Sequence, residues 1–275
     1  MRIRYVDAFT DRPFAGNPAA VVLLDGGGFP PDDALQRLAA EVNLSETAFA
    51  HRLPEHAEAD WALRWFTPTT EVRLCGHATL ATAHVLRTAT GRSGPVRFAT
   101  LSGVLGAEAR DDGSVVLDFP TAPLRPAELP EAARAALGTP VLSVHHTGEN
   151  VGDLLVEVTD EACVRALDPD LGQLARLRGR GVIVTARAAE DAAGHDYVSR
   201  CFFPAVGIAE DPVTGSAHTA LAPFWSQRLG RNSLTGLQAS ARTGLVRTEV
   251  RGDRTLLRGS AVTVIEGDLL VPLAG

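Results

Sequence analysis

The feature that most constrains the fold is an internal duplication. Arg64-Trp65-Phe66-Thr67-Pro68 precedes Cys75-Gly76-His77-Ala78-Thr79-Leu80-Ala81, and Arg200-Cys201-Phe202-Phe203-Pro204 precedes Thr214-Gly215-Ser216-Ala217-His218-Thr219-Ala220. In each copy an Arg stands four positions before a Pro, with aromatic residues between them, and a Gly then opens a run of small helix-forming residues. The loops differ by three residues: eight from Pro68 to Gly76, eleven from Pro204 to Gly215. Downstream, Gly103, Glu108 and Arg110 are answered at the same spacing by Gly244, Glu249 and Arg251, and each copy runs into a turn, Asp112-Gly113 or Gly252-Asp253. Similar halves in the same order predict a duplicated domain with a pseudo-twofold axis and a site shared by the halves.

A chain of 275 residues and 29.0 kDa is long for one domain and comfortable for two. The formal charge of -7 and a pI near 5.6 argue against a nucleic-acid partner, which needs clustered cations. All 26 basic residues are Arg, which excludes a lysine Schiff base, hence ordinary pyridoxal-phosphate chemistry, and a P-loop lysine. Cys75, Cys163 and Cys201 are widely spaced and fit neither a disulfide framework nor a zinc pattern. A reducing, cytoplasmic location is the expectation. No apolar run approaches the ~20 residues of a membrane span, so no membrane partner is expected.

Strands are expected over residues 3–9 and 19–24. A helix opens at Pro31 with Leu35, Leu38, Ala39 and Val42 at helical spacing and stops near Asn43. Residues 44–50 alternate like a strand, with the carboxylate of Glu46 interrupting the apolar pattern. After a strand at 61–67, the helix at 76–87 is built almost wholly of Ala, Thr, Leu, Val and two His. A helix apolar on every side predicts a sheath of strands around it, supplied by residues 96–100, 104–109 and 115–119. The Pro-rich segment 121–130 reads as a linker, giving halves of 1–120 and 121–275, with the last strand allowed to pack on the N-terminal half. The second half repeats the plan: strands at 141–144, 154–158, 182–186 and 197–203, a helix from 216, and hairpin strands from 244. Surface helices are expected at 131–137 and 169–177, and the Arg run at 176–180 reads as a solvated edge.

A Gly followed by His or Ser at the start of a buried helix presents unpaired N–H groups and the positive dipole end. Such an end attracts a carboxylate or phosphate by roughly 0.3–1 kcal/mol. Gly76 and Gly215 thereby become candidate binding residues; the alternative is that they only permit tight turns and that Ser216 is an ordinary N-cap.

Several motifs together resemble the phenazine-biosynthesis PhzF-like family: Phe9-Thr10 with Gly16-Asn17-Pro18-Ala19, Asn43-Leu44-Ser45-Glu46-Thr47, Leu74-Cys75-Gly76-His77-Ala78-Thr79-Leu80-Ala81, and Glu210-Asp211-Pro212-Val213-Thr214-Gly215-Ser216-Ala217-His218. The resemblance spans nearly the whole chain. It implies an α+β fold of diaminopimelate-epimerase type, with two pseudo-symmetric halves, each a curved, mostly antiparallel sheet wrapped around a central helix, and a site in the cleft between them. It also implies catalysis without cofactor or metal, by a homodimer acting on a small carboxylated substrate. Carried over, Glu46 is the acid/base, His77 and Asp211 are further catalytic residues, and Cys75, Gly76, Gly215 and Ser216 bind substrate.

These roles make chemical sense beside their alternatives. A desolvated carboxylate such as Glu46 can take a proton from one carbon and return it to another; otherwise it is satisfied by backbone or Arg. His77 could polarise a substrate oxygen, and Asp211 could instead serve only its turn. His84 and His218 read as structural, and Cys163 and Cys201 as core. Racemases of this fold use a Cys before each helix; here Cys75 precedes Gly76 but Thr214 precedes Gly215, and threonine cannot act as a thiolate. The expectation is therefore an isomerase moving a proton, or a proton with its double bond. A non-catalytic small-acid binding protein and a Cys75-dependent racemase or epimerase are the alternatives.

Overall fold

The computed structural model describes residues 1–91, 93–149 and 151–273. Two compact units emerge, Met1–Asp118 with Arg258–Gly275, and Phe119–Leu257. The expected halves of 1–120 and 121–275 thus differ from these units chiefly in the final stretch, which returns to the first.

The first unit holds β1 (Arg2–Ala8), β2 (Asn17–Leu24), α1 (Asp32–Val42), β3 (Glu46–Arg52), β4 (Trp61–Phe66), β5 (Glu71–Val72), α2 (Gly76–Thr90), β6 (Gly94–Thr100), β7 (Gly103–Ala109) and most of β8 (Val115–Pro120). The second runs through β9 (Arg125–Pro126), α3 (Glu131–Leu137), β10 (Val141–His146), β11 (Asp153–Val158), α4 (Glu161–Arg165), α5 (Leu171–Leu174), β12 (Gly181–Arg187), β13 (Tyr197–Phe203), β14 (Ile208–Asp211), α6 (Gly215–Leu229), β15 (Ser233–Gln238), β16 (Gly244–Arg251) and into β17 (Arg254–Gly259). β18 (Ala261–Asp268) closes the first unit, antiparallel to β1.

Within each unit the pairings repeat. In the first, β1–β2 is antiparallel, β2–β3 parallel, β3–β4 antiparallel, β4–β5 antiparallel, β4–β6 parallel and β6–β7 antiparallel. In the second, β10–β11, β11–β12, β12–β13, β13–β14, β13–β15 and β15–β16 follow the same six senses in the same order. The duplicated Arg is explained too. Arg64 grips Glu71 with Nε and Nη2 at 2.6 and 2.7 Å, and Arg200 grips Glu210 with the same two nitrogens at 2.8 and 2.9 Å. Each guanidinium also lies over the Phe two residues on, Phe66 and Phe202. The three extra residues of the second loop fall before its Glu, so a planar bidentate clamp survives the insertion.

α2 is sheathed by β1, β2, β3, β7 and β18, and all of residues 76–86 are buried. Polar side chains survive there because Thr79 Oγ1 donates to Cys75 O at 2.6 Å and Thr82 Oγ1 to Ala78 O at 2.7 Å, satisfying each hydroxyl within the helix. Gly91 and Gly230 end α2 and α6 at φ 67°, the left-handed conformation glycine adopts at no steric cost. α6 contains Pro223, which leaves the Thr219 carbonyl without its helical donor. Ala122 N–H supplies one at 3.1 Å. With β9 bonded to β10 and Thr121 N–H to Asp253 O, the Pro-rich segment read as a linker is strapped onto the second unit. Proline spacing alone does not reveal that a distant carbonyl needs a donor.

Candidate active site

In the first unit, β2 and β3 run parallel with Ala19 opposite Glu46, and Glu46 begins β3. Cys75 is the N-cap of α2, without a side-chain cap bond, and His77 is its second residue. These starts bring Glu46 and His77 together: His77 Nε2 lies 3.0 Å from Glu46 Oε2, with both side chains nearly out of solvent. Asn17, fully buried at the start of β2, puts Nδ2 3.1 Å from His77 Nδ1. Cys75 Sγ is 3.5 Å from Nδ1 and 4.0 Å from Nε2. Being almost equidistant, the sulfur sits beside the ring and on the lone-pair axis of neither nitrogen.

The electrostatics favour an ion pair. Burial lowers the His77 pKa, but Cys75 and Glu46 together raise it well above the usual value. Burial and the Glu46 charge push the Cys75 thiol up and His77 pulls it down, while the sulfur and the Glu46 carboxylate both favour a proton on the ring between them. The Asn17 amide fits either state of the ring. As drawn, Nδ2–H donates to a neutral Nδ1; turned about its Cβ–Cγ bond, the amide offers Oδ1 to a protonated one. Glu46, Cys75 and His77 hold ligand atoms within 4.8 Å of one another, the one such group among the described residues. The off-axis sulfur makes them a poor tetrahedral set.

Asn17 lies in the Gly16-Asn17-Pro18 motif, and nothing in the sequence alone marks it as a partner of His77. The turn that carries it is strained: Phe9 and Phe14 have φ of 62° and 64°, and Gly16 has φ 65°. A Cβ on Gly16 would meet Ala8 O at 2.2 Å. Gly16→Ala is expected to cost on the order of 1–3 kcal/mol from backbone strain alone and to displace Asn17; chemical denaturation with an NMR spectrum of His77 measures both. Wild-type stability and an unmoved His77 signal would contradict this.

In the second unit, Asp211 ends β14 and Thr214 is the N-cap of α6, again without a cap bond. Thr214 Oγ1 donates to Asp211 Oδ2 instead. Gln238 locks this turn, accepting from Thr214 N–H at 2.8 Å and donating to Asp211 O at 2.7 Å. Sequence reading gave no signal for Gln238, which lies on β15. Ser216 is the second residue of α6 and not its cap, which corrects the N-cap alternative. Its Oγ accepts from Arg180 Nη2 at 3.1 Å. Arg180 is therefore not part of a solvated edge, as its run of arginines suggested. It is folded inward onto Asp153 at 3.0 and 2.6 Å, beneath which the Phe203 ring centroid lies at 4.3 Å.

Register shows where the duplication is broken. Glu46 pairs with Ala19, and Gly181 with Asp153; the following residues pair as Thr47 with Phe66, and Val182 with Phe202. The counterpart of Glu46 is thus Gly181, where a Cβ would lie 2.1 Å from Phe202 O. His77 corresponds to Ser216 and Cys75 to Thr214. At these equivalent positions the carboxylate and the imidazole both belong to the first unit.

His84 and His218 are buried and neutral. Nε2 of His84 meets Thr263 Oγ1 at 3.1 Å, and Nδ1 of His218 meets the Tyr197 hydroxyl at 2.8 Å. Burial, helped at His84 by Arg87, lowers their pKa values to about 4 and about 3. The unfolded chain, with His near 6.5, binds these protons first. The stability they confer is complete above pH ~6.5 and falls as pH drops through the two folded values. His77 has the opposite sign, its contribution being lost as pH rises through its elevated value. Urea midpoints measured from pH 7 to 4 are expected to fall, and to fall less in His218→Gln, which keeps a partner for Tyr197. An equal fall in the variant would contradict this assignment.

The family model described as phenazine biosynthesis-like protein matches residues 6–267. This chain belongs to that family. An uncharacterised isomerase of Pseudomonas aeruginosa is 47% identical, with 98% of each chain covered, and the human phenazine biosynthesis-like domain-containing protein is 39% identical, with 96% of each covered. A solved PhzF-family structure from Enterococcus faecalis superposes with a TM-score of 0.88 at 38% identity, over 98% of this chain and 99% of that one. At 15% identity, a hydroxyproline epimerase of Agrobacterium vitis superposes with a TM-score of 0.55, over 97% of this chain and 91% of that one. The α+β fold expected from the motifs is therefore the fold of this PhzF-like chain.

Proposed function

We propose that this chain is a cofactor-independent isomerase that moves a proton, or a proton with its double bond, within a small carboxylated metabolite. The observation that carries the reading is the buried contact of Glu46 with His77 at 3.0 Å. Ionised Glu46 accepts a proton from a substrate carbon: the C–H bond breaks, an O–H bond forms, and the electron pair passes into the adjacent unsaturated system. The same carboxyl then returns the proton to a second carbon. The start of α2 at Gly76 in the first unit, and the start of α6 at Gly215 with the Ser216 hydroxyl in the second, are each assigned to binding an anionic group, and Asp211, held by Thr214, to orienting what binds beside it. Relatives named as isomerases support the reaction class. The racemase alternative is weakened by burial and the Glu46 charge, which push the Cys75 thiol up, and by the engagement of Thr214 with Asp211.

Incubating the protein in D2O with a panel of unsaturated and hydroxylated carboxylic acids, read by proton NMR, tests this. Deuterium entering one carbon of a converted acid is the expected result. Saturable binding of an acid with no exchange at any carbon would overturn the reading in favour of a binding protein. The homodimer implied by the resemblance is expected to double the 29.0 kDa mass in light scattering.

A further inference from the structure

We infer that Arg180, anchored by Asp153, is a positioning residue that fixes Ser216 as a hydrogen-bond donor to a carboxylate of the ligand. This deepens the reading above and rests on it. Arg180 Nε and Nη2 take the two oxygens of Asp153, and Nη2 also reaches Ser216 Oγ. A serine hydroxyl has one hydrogen to give. Because Oγ accepts from Arg180, that hydrogen points away from the guanidinium, at the second residue of a helix whose first N–H groups have no helical partner.

The chain of contacts is built to hold still. Asp153 is wholly buried. Its main chain is clamped by Thr147, which accepts from Asp153 N–H at 2.9 Å and donates N–H and Oγ1 to Asp153 O at 3.1 and 3.0 Å. Arg180 N–H donates to Gly152 O at 2.9 Å. Gly179 has φ 101°, and a Cβ there would lie 2.7 Å from that carbonyl. Arg180 thus has a glycine on either side, each where a side chain would strike backbone. A buried ion pair of this kind is weak evidence for stability, since desolvation offsets much of its attraction; its fixed donor geometry is what the fold gains. Lysine could not reproduce it, having no planar fork. In the first unit the residue before the acid is Ser45, and in the second the residue before Gly181 is Arg180. Where one unit keeps a proton carrier, the other keeps an oriented hydroxyl.

Sodium benzoate is the probe and benzamide its neutral control, with binding followed by amide and guanidinium NMR shifts. Benzoate is expected to shift Ser216 and Arg180 signals, and benzamide is not. Ser216→Ala and Arg180→Lys should each weaken benzoate roughly 10-fold or more, and the double variant no more than either alone. Glu46→Gln should still bind benzoate, and should lose that binding when Ser216→Ala is added, which separates this inference from the proton-transfer reading. Arg180→Lys is first checked for a native NMR spectrum; Ser216→Ala leaves the ion pair intact and decides the matter if the lysine variant does not fold. Unchanged benzoate affinity in Ser216→Ala, or losses that add in the double variant, would overturn the inference.

Discussion

Glu46→Gln is expected to fold and to lose substrate-dependent uptake of solvent deuterium by roughly 100- to 10,000-fold, the range over which a positioned acid/base acts. The change keeps side-chain volume in a buried position, so packing is preserved. It removes a charge that supports the His77 imidazolium, but histidine can shed its proton and then donate from Nε2 to the new amide. No uncompensated buried charge remains, and the cost of roughly 3–5 kcal/mol that accompanies a broken buried pair is avoided. Glu46→Asp keeps the charge but draws the carboxylate back, and a displacement of about 1 Å is expected to cost on the order of 100-fold. Exchange rates by NMR beside melting temperatures separate chemistry from folding. Full exchange in Glu46→Gln would remove this residue from the reaction.

The second large effect concerns stability. Gly181→Ala is expected to destabilise the protein by more than the ~1–3 kcal/mol usual for overpacking. The new methyl group would meet Phe202 O at 2.1 Å and Phe203 Cα at 2.9 Å, and backbone on an antiparallel neighbour cannot swing aside as a flexible side chain would. Most of the protein is expected in the insoluble fraction, with a lowered urea midpoint for the remainder. A soluble, wild-type-stable variant would mean that β12 and β13 lie farther apart than described. The same contact explains why the acid is not duplicated: no side chain, and so no second glutamate, fits at this register.

The duplication, the sheathed helices and most strands were legible because each rests on local pattern. Small residues on all sides of residues 76–86 can be buried only inside a sheet, and the paired Arg residues marked equivalent strands. Glu46, His77 and Cys75 were found through the motifs that carry the family resemblance. What stayed hidden depends on partners distant in sequence. Nothing in the run from Arg176 to Arg180 distinguishes the one arginine that turns inward onto Asp153, 27 positions away. Gln238 reaches the Asp211 turn from another strand. The Pro-rich segment is tied down because Pro223 frees a carbonyl about a hundred residues downstream. Asn17 sat in a quoted motif, yet only its contact with His77 at 3.1 Å gives it a function.

All of this chemistry depends on Glu46 carrying the charge that keeps a proton on His77. Nitrogen-15 NMR of the imidazole at pH 7 reads that state directly, in the wild type and in Glu46→Gln. The account predicts that both ring nitrogens of His77 are protonated in the wild type, and that the variant, which loses the Glu46 charge but keeps Cys75 beside the ring, gives up that proton at a lower pH. A neutral His77 in the wild type, or a titration unmoved by the substitution, would contradict it.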